Sequence, residues 1–155
     1  MTSGKVLYIY TAPEAGAKLE DRDSVTAVPG KGLEGDRYSS LQGTYSEETM
    51  TPDREVTLIE AETIEALRAE HRIDLHPSKT RRNFVTRDIA LNELVGSTFR
   101  VGEVEMRGVR LCEPCAYLQD LLAIEGLVEA LVNKGGLRAQ IVSEGIIRVG
   151  DPIIG

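Results

Sequence analysis

At 155 residues, 41% hydrophobic and 28% charged, the chain reads as one globular domain over residues 1–155 with a core of its own. Its net charge of -7 argues against a nucleic-acid partner, which wants a basic surface. No apolar run approaches the ~20 residues of a bilayer span, so no membrane partner is expected; two cysteines and no export signal place the chain in the cytoplasm.

Lys5–Thr11 predicts a first strand, ended by Pro13 and Gly16. The polar stretch to Ala27 carries no clear period. Pro29–Tyr38 is a glycine-rich loop whose Gly30, Gly32 and Gly35 imitate a dinucleotide fingerprint. That fingerprint must open a helix, and Asp36-Arg37-Tyr38-Ser39-Ser40 leads into more loop. Leu41–Asp53 lacks apolar periodicity and reads as an exposed excursion.

Glu55–Ile59 alternates as a strand, and Glu60–Arg72 follows as a helix with Ala61, Ile64 and Leu67 on one stripe. Acids early and bases late in that helix suit its dipole. Arg82–Asp88 is strand-like. Thr98–Val101 and Glu103–Leu111 flank Gly102-Glu103, a two-residue type II′ hairpin turn with glycine first. The apolar phase slips from Val104 and Met106 to Val109 and Leu111, which predicts a β-bulge at Gly108. Ala116–Leu122 and the Leu127–Val132 stretch are helical, with Gly135-Gly136 as the stop. Leu137, Ala139 and Ile141 alternate, Ser143-Glu144-Gly145 reads as a hairpin turn, and Ile146–Val149 returns. Short strands joined by hairpin signals predict a mainly β fold: an antiparallel sheet curled into a barrel, with two or three helices at its side.

The chemistry gathers around Arg110–Leu122, which holds both cysteines, Cys112 and Cys115. Pro114 fits the first turn of a helix, so Cys115 is expected among the unpaired N–H groups of a helix start. Those groups favour a thiolate and pull its pKa below the ~8.5 of a free thiol. A thiolate attacks, carries sulfur or binds metal; the plain alternative is a small buried apolar residue. A zinc reading of His71, His76 and the two cysteines competes with two surface histidines, and a thioredoxin-like reading of Cys-x-Pro-Cys lacks a βαβ context. Arginine supplies 13 of the 18 cationic residues, and Arg81-Arg82-Asn83 opens a strand. Such forks and amides suit phosphate and carbonyl recognition, or else the arginines solvate a strand edge.

In order along the chain, Gly32–Arg37, Arg54–Ile59, Arg81–Val85, Leu94-Val95-Gly96, Phe99–Gly102, Pro114–Leu118 and Val149–Pro152 resemble a stand-alone MOSC domain. That family takes its name from the C-terminal domain of molybdenum-cofactor sulfurases. The resemblance implies a β-barrel and places the family cysteine on Cys115. It is a molybdenum ligand in the amidoxime-reducing members and a persulfide carrier in the sulfurases. The family's Arg-x-Asn element falls on Arg81 and Asn83. Asp36 and Arg37, in the family's glycine loop, are carried over as further pocket residues, and Arg82 is counted with Arg81 as a cationic partner for the pterin's phosphate. The implied cofactor is molybdopterin-bound molybdenum, with small-molecule substrates, N-hydroxylated ones among them, and an electron-donor or sulfur-donor protein as partner. A sulfur carrier and a non-catalytic small-ligand module are the alternatives. The large members' separate N-terminal β-barrel has no counterpart here.

Overall fold

The computed structural model describes residues 3–14, 16–39, 51–112, 126–131 and 134–155. Its strands are β1 (Ser3–Thr11), β2 (Glu20–Arg22), β3 (Ser24–Val28), β4 (Gly32–Leu33), β5 (Val56–Glu60), β6 (Phe84–Arg87), β7 (Thr98–Val101), β8 (Val104–Leu111), β9 (Leu137–Ile141), β10 (Gly145–Arg148) and β11 (Pro152–Ile154). The main helix is α1 (Ala61–His71), with a short α2 (Leu127–Ala130). Among the described residues no helix is long and apolar enough to cross a membrane.

Seven strands close into a barrel in the order β11-β7-β8-β9-β5-β6-β1, sealed by β1 against β11, with β2 added beside β1. The pairings are antiparallel except β5 with β6, which run parallel. This is the expected mainly β barrel, apart from that pair. Parallel neighbours need a crossover connection, and α1 with the segment behind it supplies one. Hairpin signals could not reveal it.

The interior is filled by Ile9, Val56, Leu58, Phe84, Val104, Met106, Leu137 and Ile141, all 0–1% exposed. Val6 and Ile9 both join this core although three residues apart. The register shift between Val6 and Tyr8 explains it, since a bulge resets the alternation. A second bulge lies between Gly108 and Arg110, where the apolar phase of β8 slips. Gly108 must be glycine because a Cβ there would strike the Leu94 carbonyl. On the outer face, Ile59, Val85 and Tyr10 pack against Ala61 and Ile64 of α1. The turn at Gly102 follows the expected type: Val101 pairs with Val104, and Gly102 takes φ +60 while Glu103 stays out of the left-handed region.

The expected hairpin between β9 and β10 does not form. β10 pairs instead with β3, in a separate sheet ordered β10-β3-β4. The linker runs along β8, with the Val142 and Ser143 N–H groups donating to the Glu105 carbonyl. Gly145 is not left-handed there; its missing Cβ leaves room for Val104 and the Glu103 side chain. On the side of β10 away from β3, the Ile146 N–H donates to Glu103 Oε1 (2.9 Å) and the Arg148 N–H to Asp151 Oδ2 (2.8 Å). Val25, Ala27, Leu33 and Ile147 join this small sheet to the barrel core. The glycine-rich loop is thus the β3–β4 turn, not a phosphate loop before a helix. Of the excursion read at Leu41–Asp53, residues 51–53 are described and enter a 3₁₀ turn, Pro52–Arg54; the rest lies outside the described residues.

Candidate functional site

Asn83 stands just ahead of β6 and is 2% exposed. Its Oδ1 accepts from the Thr57 N–H and hydroxyl (both 3.1 Å), and its Nδ2 donates to the Tyr10 carbonyl (3.1 Å). Its own N–H donates to Thr57 Oγ1 (3.1 Å), and its carbonyl accepts from the Tyr10 N–H (2.7 Å). One side chain therefore ties β5 and β1 to the start of β6, which leaves one amide hydrogen for anything else.

Asp36, Arg37 and Arg81 form a connected buried network. Arg37 donates to Asp36 Oδ1 (3.0 Å) and to the Arg81 carbonyl (3.1 Å), and its guanidinium lies 4.9 Å over the Tyr38 ring. Asp36 Oδ1 also accepts from the Ala12 N–H at the end of β1. Arg81 adopts φ +60 after the 3₁₀ turn Pro77–Thr80 and donates to the Ala17 carbonyl (2.7 Å). At 9% exposure it is no solvated strand-edge arginine. A cleft of about 510 Å³ is lined by Tyr10, Lys18, Leu19, Glu20, Asp21, His76 and Ser78, without Asp36, Arg37 or Arg81. Burial, then Asp21 and Tyr8, push the Tyr10 hydroxyl up to about 12, so it stays protonated. His76 caps the 3₁₀ turn by accepting from the Ser78 N–H. Among the described residues no group of three or more His, Cys, Asp or Glu could hold a metal ion.

Arg82 turns the other way. Its Nε donates to the Gly135 carbonyl (2.8 Å), while the Cys112 N–H donates to the next carbonyl, Gly136 (2.7 Å). Arg82, the middle residue of the Arg-x-Asn element, and the end of β8 therefore meet on one glycine turn. Gly136, at φ +110, sits so close to the Leu58 carbonyl that a Cβ would collide with it. Cys112 is buried, and Cys115 and Pro114 lie outside the described residues. Sequence reasoning missed Arg138, buried on β9 opposite Thr57 and Arg110. Burial lowers its pKa, Cys112 raises it, and Arg82, Arg110 and Arg54 lower it further. A charged residue between Leu137 and Ala139, just past Gly135-Gly136, was the available signal.

Glu55 holds the β3–β4 turn in place. It is 2% exposed, and its Oε1 accepts from the Gly30 (3.1 Å) and Ile141 (3.2 Å) N–H groups. Burial raises its carboxyl above 4.5, against the pull of those two bonds. A carboxyl raised by folding favours the folded state when protonated, so its contribution falls as pH rises from 4.5 through the folded value. Glu60, raised first by burial, adds the same slope. Glu55→Gln keeps the acceptor without the charge. Melting curves across this range are expected to fall less with pH in the variant than in the wild type. An unchanged slope would remove Glu55 as its source.

A family model described as MOSC domain matches residues 46–154. Among solved structures, the YUAD protein from Bacillus subtilis has 14% identity and a TM-score of 0.81, over 97% of this chain and 94% of that one. YiiM from Geobacillus stearothermophilus has 12% identity and a TM-score of 0.75, over 97% and 74%. YiiM from Escherichia coli has 19% identity and a TM-score of 0.63, over 95% and 68%. At these identities the likeness speaks for the fold. The comparison with curated proteins gives no match.

Proposed function

The chain belongs to the MOSC domain family, which generally binds molybdenum cofactor, and on that premise we propose that it holds this cofactor through Cys115 and reduces N-hydroxylated small molecules. The observation that carries the reading is the meeting of Arg82 and Cys112 on the Gly135 and Gly136 carbonyls. It brings Arg82, between Arg81 and Asn83, beside the strand from which the chain continues toward Cys115, three residues on. The donor set fits the group. A cysteine thiolate is a soft ligand of the kind a transition metal takes, and guanidinium forks match phosphate and carbonyl oxygens. When bound, the cofactor supplies a redox metal able to pass an electron pair to an N–O bond.

This chain's own residues divide the remaining work. Cys115 would hold the metal and Arg82 would face the pterin from the start of β6, while Arg81, turned the other way onto the Ala17 carbonyl, fixes the turn ahead of it. Asp36, Arg37 and Asn83 act as positioning residues, fixing the backbones of β1, β5 and the Arg81 turn. Protein from a cofactor-producing host is expected to carry molybdenum and pterin fluorescence, with both strongly reduced in Cys115→Ser. Protein with neither, but with an intact mass showing a reducible gain of one sulfur on Cys115, would replace this reading with the sulfur carrier.

A further inference from the structure

We propose that the cleft between β2 and the 3₁₀ turn Pro77–Thr80 is a separate small-molecule site shaped for a zwitterion, with an amine at one end, a carboxylate at the other and an apolar body between. At about 510 Å³ it falls within the ~300–1,000 Å³ of ordinary ligand pockets. Arg81, Arg82 and Asn83 are not among its lining side chains, which sets it apart from their part in the cofactor reading.

The floor of the cleft is apolar and fixed. Tyr10 and Leu19, 2% and 5% exposed, belong to the cluster that packs against Ala61 and Ile64 of α1, and the Tyr10 ring stacks on Tyr8. Arg81 ties the two walls together from behind. Its guanidinium donates to the Ala17 carbonyl, next to Lys18, and its backbone N–H donates to the Ser78 carbonyl (3.3 Å). Lys18 and Ser78 therefore mark one end of the cleft.

Strand register sets the other end. Tyr10 stands opposite Asp21 in the β1–β2 ladder. Both backbone groups of Tyr10 are engaged by Asn83, so Tyr10 and Asp21 form a pair without hydrogen bonds. In such a pair the Cα atoms approach to ~4.5 Å and the side chains stand closest. Burial first, and then the Asp21 charge, raise the Tyr10 hydroxyl, which fits that proximity. The Glu20 carboxylate is met by Arg22 at 3.0 Å, which leaves Asp21 as the carboxylate for an incoming amine, with the Tyr10 ring and hydroxyl beside it.

At the Lys18 end the polar groups are donors. His76 Nδ1 accepts from the Ser78 N–H, so the neutral ring keeps its proton on Nε2, and the Lys18 ammonium adds its own N–H groups. A cation and donors at one end suit a carboxylate, and the Asp21 carboxylate at the other suits an ammonium. A purely anionic ligand would meet Asp21, and a purely cationic one Lys18.

Titration of the full chain with ε-aminocaproate, followed through the amide shifts of Leu19 and Ser78 by two-dimensional NMR, tests the site; caproate and hexylamine carry one end each. The zwitterion is expected to saturate one site and to bind about fivefold or more tighter than either half. Lys18→Gln should cost it about that factor without weakening hexylamine, and Asp21→Asn should do so without weakening caproate. Both side chains are exposed, so neither variant threatens the fold. No saturable shift, equal binding of the zwitterion and one of its halves, or equal binding in wild type and both variants overturns the site. Molybdenum plays no part in this titration, so its failure leaves the cofactor reading standing.

Discussion

Asn83→Ala is expected to destabilise the ligand-free chain by roughly 2–6 kcal/mol, a large part of the ~5–15 kcal/mol typical of a folded domain. The substitution deletes the bonds to Thr57 and Tyr10 and leaves a Thr57 N–H and a Tyr10 carbonyl without that partner inside the structure. Each such buried orphan costs about 1–3 kcal/mol. Urea denaturation of the apo chain measures the loss directly. A cost under about 1 kcal/mol would mean that water or a neighbour replaces the amide, and Asn83 would then be free to serve as a ligand contact. Thr57→Val should lose stability as well, and the double variant less than the sum, because the two side chains share one network.

Arg37→Ala should cost about 3–5 kcal/mol, the loss typical when one partner of a buried ion pair is removed. The Asp36 side chain is 0% exposed and that of Arg37 6%, so solvent cannot replace the missing cation. Arg37→Lys should recover part of the loss, since it keeps the charge but not the fork that reaches both Asp36 and the Arg81 carbonyl. Asp36→Asn combined with Arg37→Met should fold better than Arg37→Ala alone, because no buried charge is left unpaired. If the double variant is the less stable of the two, the pair is not held together by its charge.

Local patterns showed β1, β5, α1, β7, β8 and β9 close to their true bounds, because their apolar residues recur at strand or helix spacing between polar, glycine or proline breaks. They showed the Gly102 turn and the Gly108 bulge for the same reason: glycine and a phase slip are local signals. What they could not show was pairing between distant segments. β3, β4 and β10 are short, and β10 finds its partner in β3 rather than in its neighbour β9. The parallel β5–β6 pair was hidden because nothing in either strand records which way its neighbour runs. The site divides along the same line. Arg82 and Asn83 stood out as a contiguous run, whereas Arg138 and Arg110 meet only through the β8–β9 register. The helix start read at Pro114 and Cys115 lies outside the described residues.

The two carboxylates beside β10 bear on how this chain behaves in a crowd of its own copies. A strand at the border of a sheet presents outward N–H groups, a template on which another chain can grow. Ile146, 39% exposed and flanked by the exposed Val142 and Val149, would make such a border sticky as well. Glu103 and Asp151 already occupy the outward N–H groups of Ile146 and Arg148, and Gly145 and Gly102 leave them the room to do so. An incoming strand would have to displace two anions before gaining its first bond. The hairpin tip and the final turn thereby guard the small sheet against runaway fibre-like growth.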